Sequence, residues 1–128
     1  MGTPSLLDTN CVIYLIKGGL EKNVEQNLRD ATALGFNISV ISQIELLGYD
    51  FSTIDIKSKT EKFVNQCIIL PLDNEVVAKT IELRRLYKIK LPDAIIAATA
   101  IVFNFTLISR NDKDFEKIEE LNYFNPFS

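Results

Sequence analysis

Ser5-Leu6-Leu7-Asp8-Thr9-Asn10 is the stretch on which the reading of the fold turns. A short apolar run stops abruptly at an acid, a hydroxyl and an amide. A second apolar run (Val12, Ile13, Leu15, Ile16) follows. The pattern predicts a buried strand, a turn and a helix. In an open α/β sheet, ligands gather where strands end at their carboxyl edge, and Asp8 stands at such an edge. The same polar residues also suit a helix cap, because their side chains satisfy the orphan N–H groups of a first turn. Taken alone, Asp8 fits either role.

Outward from this stretch the chain alternates. A short helix over 12–16 is stopped by Gly18-Gly19, and a helix over 21–34 places Val24, Leu28, Ala31 and Leu34 on one face. The β-branched segment 36–41 (FNISVI) predicts a second strand, followed by a helix over 42–48 and a loop over 48–53. A polar helix over 56–66 leads to a third strand, 68–70, closed by Pro71. After a helix over 74–87, Pro92 introduces a nearly all-apolar helix over 93–103 that must be buried on most faces. A fourth strand at 106–108, a polar segment at 112–121 and an aromatic close at 123–127 complete the chain. Strands alternating with helices predict a three-layer α/β/α sandwich around a central parallel sheet. No linker or repeat interrupts the pattern, so 1–128 reads as a single domain.

Composition narrows the chemistry. The formal net charge of -3 supplies no global field to attract nucleic acid, so any such contact needs a local patch. Histidine is absent, which removes Ser-His-Asp and Cys-His catalysis, histidine acid–base pairs and most zinc sites. Cys11 and Cys67 show no paired-ligand spacing and read as two buried free thiols in a reducing compartment. The N-terminus lacks a basic segment, and Asp8 and Asn10 cut its apolar run, against a signal peptide. Gly2 is followed by Leu6 where a myristoylation signal needs Ser or Thr. The apolar stretch 94–103 is too short to span a bilayer, so no membrane association is expected. A cytoplasmic location follows as the expectation, and the sequons at Asn37 and Asn104 are then chance matches.

Most of the 17 acids lie in solvated segments. Asp8, Glu45 and Asp93 do not: each stands at the edge of an apolar segment. Each has a structural explanation of its own. Ser42 and Glu45 form an S-x-x-E capping box, and Asp93 after Pro92 suits a helix start and its dipole. Three such coincidences favour a shared site. Anions gathered in a partly buried site need a cation to share them, and oxygen donors without histidine or thiolate point to Mg²⁺ or Mn²⁺. A fourth acidic element, 109–115 (SRNDKDF), also follows a strand. Ahead of Asp93, Arg84, Arg85, Lys88 and Lys90 form a basic run with Tyr87 that could hold phosphates, or simply complement a helix C-terminus.

The ordered set LLDTNCVIYLI, SVISQIELLG, LPDAIIAATA, LISRNDKDF and the closing NPF resembles the PIN-domain family, and within it the VapC-type toxins of bacterial toxin–antitoxin pairs. The similarity runs from Leu6 to Phe127. It implies helices on both faces of a parallel sheet and a Mg²⁺- or Mn²⁺-dependent ribonuclease. It puts the family's acids on Asp8, Glu45 and Asp93 and its small hydroxyl residue on Ser109. Asn10 and Ser109 would orient ligands or water. Counting from Asp93, Asn111 occupies a slot that is acidic in many members, with Asp112 and Asp114 as neighbours able to substitute. The resemblance also implies a homodimer and neutralisation by a small antitoxin. Rival readings are a housekeeping RNA-processing nuclease, a DNA nuclease, and an inactive domain that binds a partner, favoured by Asn111. A HAD-type phosphatase would need a second acid where Asn10 stands.

Overall fold

A computed structural model describes residues 3–49 and 53–128. Its elements run β1 (Ser5–Leu7), α1 (Thr9–Lys17), α2 (Lys22–Ala31), β2 (Asn37–Ser39), α3 (Val40–Leu47), α4 (Ile54–Gln66), β3 (Ile68–Leu70), α5 (Asn74–Leu86), α6 (Leu91–Phe103), β4 (Thr106–Ile108), α7 (Asp112–Phe115) and β5 (Tyr123–Phe124).

Every strand pair is parallel. β4 lies between β1 and β5, and β2 pairs with β3. The two hydrogen-bonded sets meet at β1 and β2, where the buried Asn37 side chain donates to the Ser5 carbonyl at 2.9 Å. A side-chain amide thus joins the layer where no backbone ladder does, and it satisfies a buried carbonyl. Residues alternate faces along a strand, and the register keeps partners together. Leu6 and its partner Leu107 enter one core with α5, α6 and Phe115. Leu7 and its partner Ile108 enter the other, with Val12, Leu28, Leu46 and Val64. Two cores on opposite faces of one layer make the expected sandwich. Among the described residues no helix is long and apolar enough to cross a membrane.

The helix over 93–103 is buried as its composition requires: Ala94 through Ala100 are all below the surface. Its alanines let α5 approach closely, and Asn104 ends it in the left-handed conformation (φ 60°) that an amide tolerates better than most side chains.

Several boundaries differ from the sequence expectation, and caps explain them. The first helix starts at Thr9, not at 12, because the Asp8 side chain accepts from Cys11 N. The second strand stops at Ser39, not at 41, because Ser39 caps α3 by accepting from Ser42 N. The Ser42–Glu45 capping box is therefore corrected: Ser42 lies inside the helix, and Glu45 is bonded by another element. α6 begins two residues early, with Pro92 in its first turn, where a missing N–H costs nothing. Of the loop expected over 48–53, residues 50–52 lie outside the described residues, as does Gly2. Both cysteines are free as expected, Cys11 buried and Cys67 partly so.

Candidate active site

β1 and β4 end side by side, and the chain after each carries one of the candidate side chains. Asp8 follows β1, where its backbone N–H continues the ladder to the Ile108 carbonyl at 3.1 Å. The residue is only 6% exposed. One carboxylate oxygen accepts from Cys11 N at 2.8 Å, and the other accepts from the hydroxyl of buried Ser109, which follows β4. Asp8 is thus a helix cap and a member of a wider constellation at once. Burial raises its pKa above the ordinary carboxylate value; the bonds from Ser109 and Cys11 oppose this, and the Glu45 charge adds to it.

A cavity of about 360 Å³ opens over Asp8. Glu45 from α3 and Asp93 from α6 line it, together with Thr9, Asn10 and Lys17 from α1. The acids are graded by depth, with Asp8 buried, Asp93 half-buried and Glu45 exposed. Thr9 Oγ1 donates to Glu45 Oε1 at 2.6 Å and lies 2.9 Å from Ser42 Oγ, tying α1 to α3 across the cavity. Asp93 is pushed up to about 6, first by burial and then by the charges of Asp114, Asp8 and Glu45, with Lys90 opposing. The charges of three other acids thus reach Asp93. Ile13, Ile16, Leu46, Ile56 and Ile96 give the cavity an apolar part to its lining.

The loop after β4 separates Asp112 from Asp114. Asn111 caps α7: its side chain accepts from Asp114 N at 3.3 Å and donates to Asp114 Oδ2 at 2.8 Å. Asp114 is the first of the charges acting on Asp93, whereas Asp112 acts on neither Asp93 nor Asp8. Asp112 instead accepts from Tyr123 Oη at 2.6 Å and Asn125 Nδ2 at 3.0 Å, bonds that hold its pKa below the ordinary value. Among the basic residues picked out in the sequence, Lys90 acts on Asp93. Arg84, Arg85 and Lys88 are exposed around the C-terminal end of α5 and line no part of the cavity.

Thr9, Lys17 and Tyr49 are cavity residues that sequence reasoning passed over. Thr9 sits inside the opening motif, but its role depends on how α3 lies against α1, and spacing cannot supply that. Lys17 reads in sequence as an ordinary last-turn cation.

Residues 5–121 match the family described as PIN domain. The chain is 31% identical to the Ribonuclease VapC of Rickettsia bellii (strain RML369-C) over 134 positions, covering 91% of each. It is similar to a solved toxin–antitoxin complex from Klebsiella pneumoniae, with TM-score 0.74 and 30% identity over 95% of this chain and 97% of that one. VapBC2 from Rickettsia felis, solved with a promoter DNA fragment, gives TM-score 0.78 and 26% identity over 94% and 97%.

Proposed function

This chain belongs to the PIN-domain family, and on that premise we propose that it is a metal-dependent endoribonuclease and the toxin of a toxin–antitoxin pair. The observation that carries the reading is the meeting of Asp8, Glu45 and Asp93, from three separate elements, in one cavity at the carboxyl ends of β1 and β4. The similarity to a Ribonuclease VapC supports the reaction class, and the similarity to toxin–antitoxin complexes supports the partner.

The donor set suits a hard divalent cation. It is all oxygen and without histidine, and burial together with the neighbouring carboxylate charges raises the pKa of Asp8 and of Asp93. Among the described residues, no group of three or more Asp, Glu, Cys or His side chains stands disposed to hold an ion. Loading therefore requires side-chain movement. Asp8, Glu45, Asp93 and Asp114 are the residues that would hold Mg²⁺ or Mn²⁺. Such an ion supplies positive charge against a phosphodiester and acidifies water.

The protein's own groups prepare that chemistry. Ser109 and Cys11 N fix both oxygens of Asp8, so the deepest donor is already oriented. Thr9 restrains Glu45 and Asn111 restrains Asp114. Asp93, with its pKa near 6, is mostly ionised at neutral pH. Asn10 and Lys17 line the mouth, able to contact substrate oxygens. Asn111, which favoured an inactive reading in the sequence, here positions an acid.

The reading includes a cognate antitoxin and a homodimer. Exposed Ile44 and Leu47 on α3 and Ile54 on α4 give an apolar partner a surface beside the cavity. Val77 and Ile81, one turn apart on α5, offer one for self-association. In the test, single-stranded RNA is incubated with the protein and Mn²⁺ or Mg²⁺, with and without chelator, alongside Asp8→Asn and Asp93→Asn. Cleavage should vanish in chelator and in both variants. Cleavage undiminished in all three would make the acids structural. Growth arrest on expression, relieved by the neighbouring gene's product, tests the toxin assignment.

A further inference from the structure

Arg110 lies between Ser109, which bonds Asp8, and Asn111, which holds Asp114. Its guanidinium carbon sits 4.5 Å from the Phe127 ring centroid and 5.7 Å from that of Tyr14. The two rings stand 4.9 Å apart at 57°, and Arg110 Nη1 lies 3.4 Å from Tyr14 Oη. Arg110 is exposed and forms no ion pair among the described residues. Nor is it among the charges that act on Asp8 or Asp93. Its charge is therefore not used on Asp8 or Asp93.

None of the three side chains lines the cavity, but Tyr14 stands on the helix that does. Tyr14 follows Ile13 and lies one helical turn beyond Asn10, and both of those residues line it. Phe127 is held in turn by the folded-back C-terminus. Phe127 N donates to Asn125 Oδ1 at 2.8 Å, Asn27 Nδ2 donates to the Pro126 carbonyl at 3.0 Å, and Asn125 donates to Asp112. Asp112 thereby anchors the segment on which the platform rests.

A weakly hydrated planar cation stacked on aromatic rings keeps its edge N–H donors for an oxyanion. An RNA backbone approaching a chain of net charge -3, at a cluster of carboxylates, needs such a fixed cation. We propose that Arg110, seated on Tyr14 and Phe127, grips a backbone phosphate of the RNA flanking the scissile bond. This rests on the ribonuclease reading and adds to it the residue that seats the substrate.

Cleavage of a single-stranded RNA oligonucleotide with Mn²⁺, followed over a range of salt concentrations, tests the proposal. Arg110→Ala should raise KM by about tenfold with little change in kcat. The slope of log(kcat/KM) against log salt should shrink by about 0.7, the loss of one single-strand phosphate contact. Arg110→Lys should keep the slope. Phe127→Leu, which removes a ring and leaves the charge, should raise KM with the slope intact. Wild-type KM and slope in Arg110→Ala would overturn the proposal while the ribonuclease reading stood. So would a fall in kcat alone, which would make Arg110 a prop for its loop. A wild-type protein that cleaves no RNA would remove the ribonuclease reading itself, and this assignment with it.

Discussion

Asn111 and Asp114 hold one another across a single turn, through the Asp114 N–H to Asn111 Oδ1 and the Asn111 amide to Asp114 Oδ2. The amide that looks like a missing acid in the sequence is thus the support of an acid three residues on. Asp112 points elsewhere, into bonds with Tyr123 and Asn125.

The first prediction separates the two aspartates. Asp114→Asn should weaken Mn²⁺ binding and cleavage by an order of magnitude or more, as loss of a direct or water-bridged ligand does. Asp112→Asn keeps an acceptor for Tyr123 and Asn125, so it should leave metal affinity within a few-fold of wild type. Metal titration of both variants decides the assignment, and the reverse ranking would move the fourth acid to Asp112.

The second concerns Thr9, whose hydroxyl restrains Glu45. Thr9→Val preserves the side-chain volume and removes the donor. Glu45 is exposed, so fold stability should change little, by about 1 kcal/mol or less. Cleavage at limiting Mn²⁺ should fall, and saturating Mn²⁺ should restore most of it. A defect that persists at saturation would place Thr9 in the chemical step.

The order of layers is legible in the sequence. Alternating strands and helices dictate a parallel sheet, and the buried run of alanine and isoleucine at 94–100 marks a core helix without ambiguity. Asp8, Glu45 and Asp93 were readable as acids at apolar edges, because burying a carboxylate is costly enough to need a reason. The bond from Thr9 to Glu45 and the seat of Arg110 on Phe127 were not readable. Each joins residues far apart in sequence, so neither follows from local periodicity. The Ser42–Glu45 capping box does not form, because β2 ends at Ser39, which caps α3 in its place.

A third prediction follows from burial. Asp93 is raised from 3.8 to about 6, and Asp8 is raised as well, so both carboxyls hold protons more tightly folded than unfolded. Across roughly pH 4 to 6 the native state therefore binds more protons, and stability falls as pH rises through that window. The metal-free protein should melt at a higher temperature at pH 5 than at pH 7. Excess Mg²⁺ should narrow the gap, since it stabilises the ionised site. A melting temperature that climbs steadily from pH 5 to pH 7 in chelator would contradict the shared acidic site.

The last prediction removes one charge at fixed pH. Asp93 lies in the first turn of α6, where the helix dipole favours an anion by about 0.3–1 kcal/mol. Against this stand its burial and the charges of Asp114, Asp8 and Glu45, and their balance raises its pKa despite Lys90. The ionised side chain is thus a net liability to the metal-free fold. Asp93→Asn should then raise the melting temperature in chelator by a few degrees, about what 1 kcal/mol yields in a domain of this size. Mg²⁺ should stabilise the wild type by mass action and the variant much less, because one donor is gone. If Asp93 served only the helix start, the variant would be neutral or slightly less stable, and Mg²⁺ would shift both proteins alike. Four thermal melts, of wild type and variant with chelator and with excess Mg²⁺, distinguish the two cases. A variant less stable than wild type in chelator, with equal Mg²⁺ shifts, would rule out the convergence of these acids on one ion.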